Sequence, residues 1–251
     1  MKRFWMPVAL WVLLAISAGC ASPARTLRVS GEDASVSGFL TPARETFEEE
    51  SGGVRLDILR SRPGIVLSQL VRGEVDAVVS VHSLDELLRA AAEEQVRIDP
   101  ATLRSVDVGR SDTAILLNRR NPVSRLTRGQ LKGIFSGRIG NWKQLHGLNR
   151  GIVVVLNVAP AAADDPFVRE ILGGEKFAPK VRPVYSYDEV RKLVAEIPDA
   201  IGIVPSAYAS ASVSLPVVPK LSSPVIVVTR GKPSPQVSSL TSILRDIALL
   251  Q

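Results

Sequence analysis

Short apolar runs alternate with helix-patterned stretches along nearly the whole chain, and this alternation limits the fold more than any other feature. Leu27 and Val29 open a strand. Phe39, Leu40, Ala43 and Phe47 share one helical face, with Ser35 or Ser37 as a cap and Gly52-Gly53 as a stop. Val54, Leu56 and Ile58 alternate as a strand. Gly64 to Arg72 follow helical spacing, and Val75 to Val81 make a buried strand. Ser83 with Glu86 is a capping box for a helix reaching Gln95. Further strands are expected at Thr113 to Asn118, Ile152 to Asn157, Val181 to Tyr185, Ile201 to Val204 and Pro224 to Thr229. Asp165-Pro166, the capping pair Ser186 and Glu189, and Ser234-Pro235 each start a helix. Strands separated by helices predict an α/β fold, with parallel sheets and helices packed outside them.

Leu126 to Leu145 carries the densest local signal. Thr127 with Gln130 is a capping box, and Leu131, Ile134 and Phe135 form one apolar face. Gly137 can take the left-handed conformation that ends a helix. A polar turn then leads to Trp142, a large apolar anchor.

This run, with Asn121-Pro122-Val123 ahead of it, resembles the signature of the phosphate-binding components of bacterial ABC transporters. That PstS-like family lies in the type II periplasmic binding protein superfamily. Asp199 to Val204 and Pro224 to Thr229 also resemble stretches of it. The resemblance implies a two-lobed fold, each lobe a mainly parallel sheet flanked by helices, with the ligand cleft between lobes. Mapped onto this chain, residues 27–105 and 216–251 form one lobe and residues 106–215 the other.

The family holds its oxyanion with backbone N–H groups and hydroxyls at helix starts, and with an arginine. Four loops are implied, and each departs from the pattern here. In Gly31-Glu32-Asp33-Ala34-Ser35, Ser35 falls at a hydroxyl position, as ligand contact or plain helix cap. Glu32 and Asp33 place carboxylates where small residues are usual. In Ser61-Arg62-Pro63-Gly64, Gly64 matches, Pro63 removes an N–H, and Arg62 is a new counter-charge or a surface residue. At the third loop Ser80 remains, Val81 replaces a serine, and His82 replaces the arginine and its guanidinium fork. At the fourth, Ala161 to Ala163 replace Ser-Gly-Thr and Asp164 replaces a basic residue. Ser35, Arg62, Gly64, Ser80, His82 and Ala163 are the resulting candidate ligand contacts. Each lost hydrogen bond to a buried charged ligand is worth about 1.5–3 kcal/mol. Three hydroxyls and an arginine together then cost roughly four to seven decades of affinity.

Residues 1–20 have the form of an export signal: Lys2-Arg3, an apolar run from Trp5 to Ile16, and small residues before Cys20. The ending resembles a lipobox, with Ser17 where the pattern prefers Leu. Lipidation at Cys20 is expected, with ordinary cleavage or a retained anchor as the alternatives, and residues 21–26 would be a tether. Cys20 is the one cysteine, so no internal disulfide can form. The net charge of +6 falls to 6 − 2 = +4 without Lys2 and Arg3, and no basic cluster marks a nucleic-acid binder. With two histidines and no His-x-x-x-His, Cys-x-x-Cys or Gly-x-Ser-x-Gly pattern, neither catalysis, a metal nor a cofactor is expected.

The expectation is an envelope solute-binding protein, lipid-anchored on the periplasmic side. It would hold a small inorganic anion, phosphate by family default, and serve an ABC transporter permease. The alternative is a binding-protein fold that has lost phosphate capture and acts as an accessory or protein-interaction lipoprotein.

Overall fold

The computed structural model describes residues 25–158 and 168–249. Cys20, the export signal, Ala163 and the start of the Asp165-Pro166 helix lie outside the described residues. Eight strands form one mixed sheet in the order β2-β1-β3-β8-β4-β7-β5-β6. They are β1 Thr26–Gly31, β2 Arg55–Arg60, β3 Ala77–Ser80, β4 Leu103–Leu117, β5 Val153–Asn157, β6 Arg182–Val184, β7 Ala200–Pro205 and β8 Ser222–Arg230. β1 runs parallel to β2 and β3, and β5 runs parallel to β6 and β7. The antiparallel pairs are those of the crossover strands, β8 with β3 and β4, and β4 with β7.

β4 joins the two halves. Leu103 to Asp112 pair with β8, and Thr113 to Leu117 pair with β7. The register shifts between Asp107 and Gly109, a bulge that bends the strand. Gly109 has φ +147° there, and a Cβ on it would stand 2.5 Å from that of Ala248. The sequence reading placed only Thr113 to Asn118 in a strand. The first part of β4 escaped it because that part is rich in Arg, Ser and Asp and alternates weakly.

Helices cover both faces of each half: α1 Asp33–Ser35, α2 Thr41–Glu50, α3 Pro63–Val71, α4 Leu84–Glu93, α5 Arg128–Phe135, α6 Tyr187–Glu196 and α7 Pro235–Leu249. A π-helical turn, Val36–Leu40, links α1 to α2. Val29, Phe39, Phe47, Val227 and Leu240 belong to a core on one face of the first half, and Val66, Leu67, Val78 and Leu87 to a core on its other face. In the second half Leu117, Phe135, Trp142 and Ile201 pack on one face, and Leu116, Val155, Val190 and Val204 on the other. An apolar run buried on both faces is what a parallel strand under two helix layers requires.

The capping boxes at Ser83/Glu86 and Thr127/Gln130 both form. Ser186 accepts the Glu189 N–H, while the Glu189 carboxylate takes the N–H of Tyr185 instead of that of Ser186. Neither Ser35 nor Ser37 caps the first helix. It starts at Asp33 behind an extended Glu32, which makes no side-chain cap bond. Among the described residues, no helix is long and apolar enough to cross a membrane.

Candidate functional site

The carboxyl ends of parallel strands from both halves meet at one place, where α/β sheets offer a crevice. β1 ends into Glu32-Asp33, β2 into Ser61-Arg62 and β3 into Val81-His82. β5 ends at Asn157, and β6 runs into Tyr185. A cleft of about 720 Å³ lies there, lined by residues of both halves. Asp33, Ser37, Thr41, Arg60, Ser61, Arg62 and Ile65 form one wall, and Tyr185, Ser186, Tyr187, Asp188 and Tyr208 the other. Asp33, Arg62 and Tyr187 stand at or just before the starts of α1, α3 and α6. Three helix beginnings therefore lie at the cleft, and a helix start presents the positive end of its dipole.

The charges lining the cleft are mostly paired. Arg60 forms an ion pair with Asp33, and its guanidinium also donates to Ser37 Oγ at 3.0 Å. Arg62 pairs with Glu94 at 3.0 Å, and Asp188 with Arg191 at 2.8 Å. Asp33 also accepts from Asn157 Nδ2 at 3.2 Å, a bond between the two halves. Ser37 and Tyr208 lie on opposite walls of the cleft. The Tyr208 ring lies 5.3 Å from that of Tyr187, and burial pushes its phenol up from the ordinary value.

Beneath the cleft, Glu32 is buried. Its Oε1 accepts from Ser80 Oγ at 2.6 Å and from the Val81 N–H at 2.6 Å, and lies 3.0 Å from His82 Nδ1. Facing an ionised carboxylate, that ring nitrogen carries the hydrogen. Burial pushes the Glu32 carboxyl up. The His82 hydrogen bond and charge and the Ser80 hydrogen bond outweigh it and hold the group below its ordinary value.

The structure thus brings Ser80 and His82 together, but around Glu32. Arg62 lines the cleft and is tied to Glu94. Ser35 is turned away from it: its hydroxyl is buried and donates to the Glu32 carbonyl at 2.9 Å. Gly64 faces α4, where a Cβ would meet the Ala90 carbonyl oxygen at 2.7 Å. Ala163 lies outside the described residues.

A family model described as a PBP superfamily domain matches residues 17–241. The chain belongs to the PBP superfamily. It is 29% identical over 183 residues to the phosphate-binding protein PstS of Bacillus subtilis (strain 168), a match covering 73% of this chain and 58% of that relative. A candidate phosphate ABC transporter substrate-binding protein from Clostridium perfringens, solved with bound phosphate, superposes with a TM-score of 0.72 at 22% identity. That match covers 88% of this chain and 93% of the other. An ABC-type phosphate transport receptor from Vibrio cholerae gives 0.68 at 22% identity, over 87% and 93%. At such identities the two structures establish the two-lobed PBP fold alone.

Sequence reasoning missed several residues that this PBP chain brings to its cleft. Arg60 ends a strand, the position at which α/β ligand sites arise, and that was a usable signal. Tyr185, Tyr187 and Tyr208 are the only tyrosines in the chain, and all three line the cleft. Nothing local announced this, because Tyr208 reaches the cleft only through the return from β7.

Proposed function

We propose that this chain is an extracytoplasmic solute-binding protein that holds a small anion, phosphate in the first instance, in the cleft between its lobes. It would pass that anion to an ABC transporter permease. One observation carries the reading: the starts of α1, α3 and α6, with Arg60 and Arg62, face a single interlobe cleft. Helix N-termini offer N–H groups and about half a positive charge each, and guanidinium groups add fork-shaped donors. The names of the Bacillus, Clostridium and Vibrio relatives point to phosphate.

In this reading residues 27–105 with 216–251 and residues 106–215 are the lobes. The export signal delivers the chain to the periplasmic side, and a lipid on Cys20 tethers it through residues 21–26. Arg62, Ser80 and His82 are the polar side chains contributed by the second and third loops, while Gly64 and Ser35 shape the backbone behind them. The test is calorimetric titration of inorganic phosphate into the chain from Ala21 onward. Saturable binding is expected, weakened about tenfold in Arg62→Ala by loss of a charged donor. Absence of any heat or thermal shift with phosphate, sulfate and molybdate would overturn the reading.

A further inference from the structure

We propose that Glu32-Asp33 is a tethered anion: Glu32 occupies the donors of Ser80, Val81 and His82 in place of a free oxyanion, and Asp33 spans the cleft from Arg60 to Asn157. The inference rests on the cleft being an anion site, and it specifies what a free anion must displace.

Three donors of different kinds converge on one oxygen. A hydroxyl and a backbone N–H reach Glu32 Oε1 at 2.6 Å each, and an imidazole nitrogen at 3.0 Å. The Ser80 hydroxyl is fixed in turn, because its oxygen accepts the His82 N–H at 2.9 Å. Short, charge-assisted bonds fanned around one oxygen are the means by which proteins hold oxyanions. The other oxygen, Oε2, is buried and has no hydrogen-bond partner among the described residues. Leaving a buried carboxylate oxygen unpaired is costly. A shell shaped around a structural glutamate would serve both oxygens. A donor set that serves one and strands the other fits a site whose occupant has been replaced by a side chain.

Asp33, the next residue, completes the substitution. One oxygen pairs with Arg60 of its own half, and the other accepts from Asn157 at the end of β5 in the opposite half. A solute that touches both halves favours the closed arrangement by its differential affinity for it. Here a side chain supplies that bridge. Because Glu32 and Asp33 are covalently attached, their effective concentration at the donors is high. Free phosphate therefore competes at a standing disadvantage.

The test compares phosphate affinity by calorimetry in the parent chain, Glu32→Ser and Glu32→Ser/Asp33→Ser, each checked for an intact thermal transition. Glu32→Ser is expected to bind phosphate roughly tenfold or more tightly than the parent, and the double variant at least as tightly. A crystal of Glu32→Ser with phosphate should place a phosphate oxygen on Ser80 Oγ, Val81 N and His82 Nδ1. Equal or weaker affinity in Glu32→Ser, or phosphate seated elsewhere, overturns the proposal. Should Glu32→Ser fail to fold, the near-isosteric Glu32→Gln removes the charge and keeps the shape, and unchanged affinity there overturns it equally. Binding in the parent that the variants leave unchanged defeats the tethered anion alone and leaves the solute-binding reading intact. Binding only in the variants upholds the tethered anion and defeats phosphate capture by the parent. No binding in any chain defeats both.

Discussion

A Cβ added to Gly64 would stand 2.7 Å from both the Ala90 carbonyl oxygen and Glu94 Cγ. The side chain of Glu94 can swing aside, but the Ala90 backbone cannot move without shifting α4. Gly64→Ala is therefore expected to lose about 1–3 kcal/mol through overpacking, read as a lower urea midpoint; an unchanged midpoint would mean that α3 and α4 separate freely. The family pattern marks this glycine as part of a ligand loop, while its contacts here are with a neighbouring helix. Ser35 shows the same displacement of purpose. Its hydroxyl bonds the Glu32 carbonyl within the first helical turn, and so supports the residue that fills the donor set beside it. Glu32 itself was legible as an anomaly, a carboxylate among expected small residues. That its charge would be satisfied by Ser80, Val81 and His82 was not, since 48 to 50 residues separate the partners.

At the scale of elements, local chemistry was the reliable guide. Thr127 accepts the Gln130 N–H at 3.2 Å, and Gln130 accepts the Thr127 N–H at 2.8 Å. Both bonds lie within four consecutive residues, so no long-range structure is needed to foresee them. Thr127→Ala should cost about 1 kcal/mol by leaving a helix N–H unpaired; calorimetric melting checks it, and a loss below a few tenths would show that water replaces the cap. Trp142 extends the same stretch into the core, with its indole N–H donating to the Asp199 carbonyl at 3.0 Å. β4 behaves oppositely. Its first part is held by pairing with β8 and not by its own pattern, so the strand could be seen only once its partner was in place.

Over the whole molecule, β4 is shared by the two halves, pairing with β8 in one and with β7 in the other. β8 arrives from the far end of the chain and pairs with β3 and β4, and α7 then adds Leu240 and Leu244 to the first core. Leu240→Ala should destabilise by about 2–5 kcal/mol and lower a single calorimetric transition. Splitting into two endotherms would show that the halves unfold independently. The sequence by itself determined the α/β class, most helix starts and the family, because apolar period, caps and turn residues act within a few positions of one another. It also raised the expectation, through the resemblance, that the usual oxyanion contacts are changed. Only the tertiary structure decided which distant residues meet: a carboxylate bonded to the end of another strand, a second one bonded to both halves, and three tyrosines gathered on one cleft. These depend on which strand ends lie side by side, and sheet order is set by packing among distant segments, which no local pattern encodes.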